Sequence, residues 1–216
     1  MAKKILTYGE MFCGPGGLAK GALLAGSKHP VFDIKHSWAT DIDTAACETY
    51  AWNICGKKLQ DEPSVINKPI DEVDIENELK PVDMFAFGFP CNDFSILGKK
   101  KGLKGSYGPL YKYAVKYLTI HEPDVFVAEN VSGLESANEN KAFDKILKAF
   151  IKAGYNLNVH KYHFEKYGVP QKRKRIIIAG VRRGLFDRKD FFLHAAKATH
   201  SNEKRYDLLP EYVSCD

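Results

Sequence analysis

The chain has 216 residues, 44% of them hydrophobic, and its 32 lysines and arginines exceed its 27 aspartates and glutamates by a net charge of +5. This length supports one compact domain with its own core, and the modest positive charge favours a polyanionic partner without requiring one. The five cysteines are odd in number and lack a CxxC spacing, which argues against a disulfide framework or a structural zinc site and suits reduced thiols.

Strands and helices are predicted to alternate along the chain. The apolar patterns and the glycines predict strands at residues 5–12, 36–41, 82–89, 124–128, 155–164 and 175–181. They predict helices at residues 18–24, 44–53, 109–121 and 141–153. Residues 56–79 are polar, punctuated by proline, and unassigned. This order predicts an α/β fold with a doubly wound, mostly parallel sheet.

The chain is expected to form one main domain followed by a tail. The catalytic and cofactor-binding domain would cover residues 1–183, and residues 184–216 would be a linker or a partner-docking arm. No apolar run is long enough for a signal peptide or a membrane span, so we expect a soluble, cytoplasmic protein without membrane contact.

A glycine-rich turn joins the first predicted strand to the first helix. Its residues are Gly14, Pro15, Gly16 and Gly17, and glycines there let a ligand approach the backbone at a helix N-terminus. Asp41 ends the next strand, where a carboxylate can accept hydrogen bonds from ribose hydroxyls. A nucleoside-containing cofactor is therefore predicted, with NAD and S-adenosylmethionine both open. The alternatives are a turn that needs glycine only for its conformation and an Asp41 that merely caps a helix.

Four side chains of chemical interest lie where buried strands begin or end. Cys91 follows the strand of residues 82–89, and Glu129 follows the next strand. Arg173 and Arg175 share one face of the last strand, because alternate strand residues point to the same side, and their guanidinium groups suit phosphates or a base oxygen. Each feature also has a plainer explanation: an inert thiol, a surface carboxylate, and an edge strand kept from aggregating by its charge.

Considered together, four motifs make the chain similar to the DNA cytosine-5 methyltransferase family. In chain order they are FCGPGG at residues 12–17, GFPCNDFS at 88–95, ENV at 129–131 and QKRKR at 171–175. The resemblance spans about residues 5–181, and the joint match is far more specific than any single motif. It implies the Rossmann-like sheet of S-adenosylmethionine-dependent methyltransferases.

The resemblance implies a role for each catalytic residue. The Cys91 thiolate would attack carbon 6 of a cytosine and Glu129 would hold and protonate the ring. Carbon 5 would then accept the methyl group, because the covalent adduct makes that carbon enamine-like. Arg173 and Arg175 would orient the base and steady Glu129 or a nearby phosphate, and Asn130 would shape the pocket.

The same resemblance implies S-adenosylmethionine as cofactor, with S-adenosylhomocysteine as product and no metal. An aromatic side chain would pack on the adenine, the glycines would admit the methionine moiety, and a carboxylate would bind the ribose. The residues implied in cofactor binding are Phe12, Gly14, Pro15, Gly16, Gly17, Asp41, Ile42, Pro90 and Leu110.

Duplex DNA is the implied substrate, and its target cytosine must be flipped out of the stack at an energetic cost. Residues 95–108 carry four lysines and resemble the family's mobile catalytic loop, whose lysine–phosphate contacts would make binding depend strongly on salt. The plainer alternative is an ordinary solvated loop.

The chain departs from the family's pattern in three places. Glu10 stands where the family usually has aspartate, and the acidic residue that would contact the adenine amine is unassigned, with residues 69–71 as the nearest candidate. After residue 175 the family continues with a target-recognition domain and a closing motif that completes the cofactor site, and too few residues remain here for them. We therefore expect the catalytic subunit of a split restriction–modification methyltransferase, with a second polypeptide supplying those parts. A fragment of a longer enzyme is the alternative.

Three other functions stay open. An NAD-dependent oxidoreductase would explain the glycine turn but neither Cys91 nor the paired arginines. An RNA cytosine methyltransferase would use identical chemistry. A non-catalytic subunit that keeps the fold is the third, and the intact Cys91, Glu129 and arginines argue against it.

Overall fold

A seven-stranded sheet organises the part of the chain that the structure describes. The computed structural model describes residues 2–89, 110–131, 141–185, 195–202 and 209–213. The strands are β1 (Lys4–Met11), β2 (Phe32–Asp41), β3 (Val65–Asn67), β4 (Met84–Phe87), β5 (Val125–Val131), β6 (Tyr155–His163) and β7 (Lys174–Arg182). The α-helices are α1 (Gly17–Lys28), α2 (Thr44–Tyr50), α3 (Tyr111–His121) and α4 (Lys141–Lys152). Short turns of 3-10 or π-helix cover Ala51–Cys55, Leu59–Asp61, Ile70–Glu72 and Phe164–Tyr167.

The strand order confirms the predicted doubly wound, mostly parallel sheet. The order is β3-β2-β1-β4-β5-β7-β6, in which the first five strands pair in parallel. Strand β7 runs antiparallel to both of its neighbours. The last two strands therefore form one edge of the sheet.

Several elements differ from the prediction: α1 ends four residues later, at Lys28, and β5 ends three residues later, at Val131, so Glu129 lies within the strand. Strand β3 lies within the unassigned residues 56–79, and its three residues are too few to show any periodicity. Strand β2 begins at Phe32, four residues earlier than predicted, because the charged residues Asp33 and Lys35 in its first half interrupt the apolar pattern. Helix α2 ends at Tyr50 and continues as a π-helical turn that Gly56 closes with a φ of 70°.

Two separate apolar clusters hold helices on opposite faces of the sheet. The larger cluster joins Phe87 and Phe126 of the sheet to Tyr117 of α3 and Phe150 of α4. The smaller cluster contains members of β1 and β2 together with residues of α1 and α2. Helices α1 and α2 therefore cover the β3-β2-β1 side of one face, and α3 and α4 cover the other face. In the described part of the chain, no helix is both long enough and apolar enough to cross a membrane.

The register of the strands brings several chain segments to one edge. Met11 pairs with both Thr40 and Phe87, and Phe87 pairs with Ala128. The residues that follow these four positions therefore emerge side by side at the carboxyl edge of the parallel strands. Because β7 is antiparallel, its first residues arrive at the same edge, where Arg175 pairs with Val131 at the end of β5.

Candidate functional site

The candidate site lies at this carboxyl edge, where parallel α/β sheets commonly bind ligands. Phe12, Asp41, Gly88 and Glu129 occupy the positions just beyond the four aligned residues of β1, β2, β4 and β5. Four residues that are far apart in the sequence are thus neighbours in the fold. The site has two halves. One is the glycine turn with Asp41, and the other is the Glu129 carboxylate with Arg173 and Arg175.

The backbone of the glycine turn bends in a way that most residues resist. Phe12 has a φ of 57°, Gly14 of 52° and Gly16 of 92°, all in the left-handed region. A Cβ on Gly16 would lie 2.9 Å from Ile54 Cγ1, so this position requires glycine for packing as well. A Cβ on Gly14 or Gly17 would meet no atom within 4 Å, which leaves space beside the turn for a ligand.

Asp41 ties the end of β2 to the glycine turn. Its Oδ2 accepts a hydrogen bond from the amide of Gly14 at 2.8 Å, and its Oδ1 accepts one from the amide of Asp43 at 3.0 Å. The residue that caps helix α2 is Asp43, whose Oδ1 accepts from the amide of Ala46 at 2.8 Å, so the cap alternative for Asp41 is wrong. Each Asp41 oxygen keeps acceptor capacity for a ligand hydroxyl. The adjacent Ile42 side chain is 68% exposed and can contact a planar ring.

Glu129 and two arginines form the second half of the site. Arg175 Nε lies 2.5 Å from Glu129 Oε1 in an ion pair whose angles fall short of an aligned hydrogen bond, and Arg173 Nη2 lies 4.0 Å from the same oxygen. A Cβ on Gly88 would lie 3.6 Å from the other Glu129 oxygen, so the end of β4 passes close to the carboxylate. Two cations against one anion leave a net positive charge, which suits an electron-rich base or a phosphate.

Asn130 connects this half of the site to the chain leading to Cys91. Only 2% of Asn130 is exposed. Its Nδ2 donates to the carbonyl of Phe89 at 3.2 Å, while its Oδ1 accepts from the amide of Val131 at 2.8 Å. The Asn130 amide thereby holds the backbone two residues before Cys91.

Cys91, Pro90 and the lysine-rich residues 95–108 lie outside the described residues. The structure does describe Cys13, which sits in the glycine turn and is 4% exposed. A hydrogen bond with Cys47, together with burial, raises the pKa of the Cys13 thiol well above its usual range. Cys13 is therefore unsuited to act as a thiolate nucleophile at neutral pH.

Comparison with known proteins identifies the family of this chain. The model of the C-5 cytosine-specific DNA methylase family matches residues 6–214. The chain belongs to this family. Type II methyltransferase M.BbvI of Brevibacillus brevis is 50% identical over 208 residues, which cover 91% of this chain and 54% of the relative. Type II methyltransferase M.NgoFVII of Neisseria gonorrhoeae is 38% identical over 205 residues, which cover 95% of this chain and 50% of the relative. This cytosine methylase chain thus spans about half the length of the curated relatives it matches.

Solved structures show the same fold. A putative DNA modification methyltransferase from an Escherichia coli prophage superposes with a TM-score of 0.64 at 24% identity, covering 83% of this chain and 47% of that one. The Dnmt2 methyltransferase of S. pombe superposes with a TM-score of 0.62 at 21% identity, covering 82% of this chain and 51% of that one. At these identities the likeness concerns the fold alone.

The glycine-turn half of the site fits S-adenosylmethionine, the methyl donor of the C-5 cytosine methylase family. Helix α1 has no acidic residue in its first turn and no side-chain cap at Gly16, so its N-terminus suits the donor's carboxylate. Asp41 and Ile42 would meet the ribose and the adenine, with Phe12 beside them. Leu110 caps the N-terminus of α3 and is half-buried against the larger cluster. Across the described ranges, no group of three or more His, Cys, Asp or Glu residues could hold a metal ion.

Glu10 is a buried carboxyl beneath the glycine turn, at the position where the cytosine methylase family usually has aspartate. Only 1% of it is exposed, Tyr8 Oη donates to its Oε2 at 3.0 Å, and the backbone of Ala19 in α1 also hydrogen-bonds to it. Burial raises the pKa of Glu10 to about 8. In its neutral form the side chain links β1 to the first turn of α1 and supports the turn between them.

We expect Glu10→Gln to flatten the dependence of stability on pH. The folded-state pKa of Glu10 lies above its ordinary value of 4.5. The stability that this group contributes is therefore fully present below about pH 4.5 and is lost as the pH rises through about 8. Glutamine keeps the shape of the side chain and cannot ionise. Between about pH 5 and about pH 9, the free energy of unfolding of the variant should therefore rise by a few kcal/mol relative to that of the wild type. Urea unfolding across this range measures the effect, with the exposed Glu48→Gln as matched control. Parallel curves for wild type and Glu10→Gln would contradict it.

Residues 195–202 pack against the turn between β6 and β7. Tyr167 Oη donates to the carbonyl of Ala196 at 2.9 Å, and the amide of Thr199 donates to the carbonyl of Lys166 at 2.9 Å. His200 lies so close to Gly168 that a Cβ there would be 2.7 Å from its ring. Residues 195–202 thus contact the turn that precedes β7. The sequence contained no signal for this contact, because it depends on single hydrogen bonds and not on an apolar pattern.

Proposed function

We propose that this chain transfers a methyl group from S-adenosylmethionine to carbon 5 of cytosine in duplex DNA, as the catalytic subunit of a split restriction–modification methyltransferase. The observation that carries the proposal is the convergence of Glu129, Arg173 and Arg175 beside the segment that leads to Cys91. The glycine turn with Asp41 lies at the same sheet edge. One edge therefore offers a base-binding group and a cofactor-binding group within one family fold.

The proposed reaction uses a covalent adduct, because carbon 5 of cytosine is a poor nucleophile. The Cys91 thiolate adds to carbon 6, the ring nitrogen takes a proton from Glu129, and carbon 5 becomes enamine-like. S-adenosylmethionine supplies the methyl group, which carbon 5 accepts while S-adenosylhomocysteine leaves. Water then takes the proton from carbon 5, the thiolate is expelled, and the ring nitrogen returns its proton to Glu129, which restores the aromatic ring, now methylated.

Three further residues of the site have roles in the proposed reaction. Arg175 is only 17% exposed and lies against the Glu129 carboxylate, so it holds that group in place. Arg173 is farther from Glu129 and 41% exposed, which leaves its guanidinium free to reach the base oxygen or a phosphate. Asn130 positions the backbone before Cys91 through the Phe89 carbonyl.

Flipping the cytosine out of the duplex requires contacts that offset the lost stacking and pairing. The chain has a net charge of +5, with one cluster of lysines in residues 99–104 and one of lysines and arginines in residues 172–175. The second cluster lies at the carboxyl edge, beside Glu129. Contacts from both clusters to phosphates would make DNA binding weaken steeply as salt rises.

A second polypeptide belongs to the proposal because the relatives are about twice as long. The chain covers 54% and 50% of the two relatives described above. The remaining length is what a target-recognition domain and a closing cofactor segment would occupy. The proposed partner chain supplies both.

The decisive experiment measures transfer of labelled methyl groups to plasmid DNA and, in parallel, to transfer RNA. The chain is assayed alone and with the product of the neighbouring reading frame, and nucleoside mass spectrometry identifies the product. We expect 5-methylcytosine in DNA from the mixture and little or none from the chain alone. Methylation of transfer RNA instead would identify an RNA enzyme. Calorimetric binding of NAD but not of S-adenosylhomocysteine would identify an oxidoreductase.

A further inference from the structure

The short edge strand β3 ends beside the cofactor half of the site. Its last residue, Asn67, pairs in register with Asp41 at the end of β2. The sequence gave no reason to connect Asn67 with the cofactor, because β3 was not predicted and the motifs that carry the resemblance do not include it. Its position next to Asp41 follows only from the register of β2 and β3.

The Asn67 side chain makes three hydrogen bonds to the turn between β2 and α2. Its Nδ2 donates to the carbonyl of Asp41 and to the carbonyl of Ile42, both at 3.1 Å. Its Oδ1 accepts from Thr44 Oγ1 at 2.8 Å. An amide suits this place because it donates two hydrogens and accepts at its oxygen without carrying a charge. One side chain thus holds both residues that would meet the nucleoside of the cofactor.

The turn needs such support because core packing does not fix the side chains that would contact the cofactor. Ile42 is 68% exposed, so its position depends on its backbone. The Asp41 carboxylate accepts from the amides of Gly14 and Asp43, and a shift of the Asp41 backbone would move both of its oxygens. Groups that are already in place bind a ligand more tightly, because less ordering is required when it arrives.

We propose that Asn67 is a positioning residue for the nucleoside of S-adenosylmethionine, which acts by fixing the backbone of Asp41 and Ile42. The inference rests on the proposed cofactor contacts of those two residues and adds the side chain that places them. Asn67 supports the residues of the binding site from behind, as the amide hydrogen bonds to their carbonyls indicate. Its loss should weaken cofactor binding and leave the steps at the cytosine unchanged.

The first test measures the affinity for S-adenosylhomocysteine by calorimetry, with the chain alone and with the neighbouring reading frame's product. Asn67→Ala removes all three hydrogen bonds and should weaken binding about tenfold or more. Thr44→Val removes only the bond to Oδ1, at an exposed position, and should weaken it about threefold. Thr49→Val is the matched control on the same helix, where the hydroxyl donates to the carbonyl of Ala45 instead. This control should bind as the wild type does.

A second ligand distinguishes positioning from mere stabilisation of β3. The analogue of S-adenosylhomocysteine that lacks the ribose 2′-hydroxyl should bind the wild type about tenfold more weakly. In Asn67→Ala, and to a smaller extent in Thr44→Val, this difference should shrink, because Asp41 no longer lies where it accepts from the hydroxyl. An equal difference in all chains would overturn the proposal, and so would unchanged affinity in Asn67→Ala. Methyl transfer by the wild-type mixture would then leave the proposed function standing, whereas a wild type that binds no S-adenosylhomocysteine would overturn both.

Discussion

Cys91→Ala is expected to abolish methyl transfer in the mixture with the partner chain, by at least about 10⁴-fold or roughly 5.5 kcal/mol of transition-state stabilisation. The physical reason is that carbon 5 of cytosine becomes nucleophilic only when a thiolate has added to carbon 6. Without the thiolate, binding and orientation remain but the reaction lacks its covalent route. Labelled methyl transfer to plasmid DNA measures the loss.

The same variant tests the covalent adduct directly. On DNA whose target cytosine carries fluorine at carbon 5, the proton that must leave is missing, so the adduct cannot resolve. The wild-type chain with its partner should therefore form a complex with this DNA that survives denaturing electrophoresis. Cys91→Ala should form none, and Cys55→Ala, a matched change at a half-buried cysteine away from the site, should form it normally. A stable complex with Cys91→Ala would assign the nucleophile to another residue.

Much of the fold could be predicted from the sequence because its strands are apolar and its turns carry glycine. Strands β4 and β5 are short runs of apolar residues, the pattern of strands covered by helices. Strand β3 was missed because three residues between polar segments carry no period. The π-helical turn at Ala51–Cys55 was also missed, since its residues would suit an ordinary helix equally well.

The site residues that belong to sequence motifs could be predicted, whereas the contacts between residues distant in the sequence could not. Glu129, Arg173 and Arg175 could be proposed from residue types, and the structure places them together at one edge. That Asp41 accepts from the Gly14 amide was not visible, because the two residues meet only through the register of β1 and β2. The buried state of Glu10 was equally hidden, since a carboxylate in a strand usually faces solvent.

Glu129→Gln is expected to lower methyl transfer by about 10²- to 10⁴-fold, the range typical for losing a positioned general acid. The amide can still hydrogen-bond the base but cannot deliver a proton to the ring as the thiolate adds. Trapping on fluorinated DNA should slow in parallel with transfer, whereas the affinity for S-adenosylhomocysteine should stay unchanged because Glu129 lies in the other half of the site. The exposed Glu76→Gln provides the same chemical change as a control. Equal slowing of both variants would contradict a role for Glu129 in the reaction.

The variant Arg175→Met tests whether Arg175 acts by positioning Glu129. Hydrogen bonds and close ion pairs to charged groups contribute about 1.5–3 kcal/mol, so we expect a loss of roughly 10- to 100-fold when the 2.5 Å contact with Glu129 is removed. In the double variant Glu129→Gln/Arg175→Met, the loss should be close to that of Glu129→Gln alone, because a positioning residue has nothing left to hold. Additive losses would instead show that Arg175 contacts the DNA or the base independently. The comparison therefore distinguishes an arginine that acts through Glu129 from one that acts on the substrate, while Arg173, 4.0 Å from the same carboxylate, remains available for that second task.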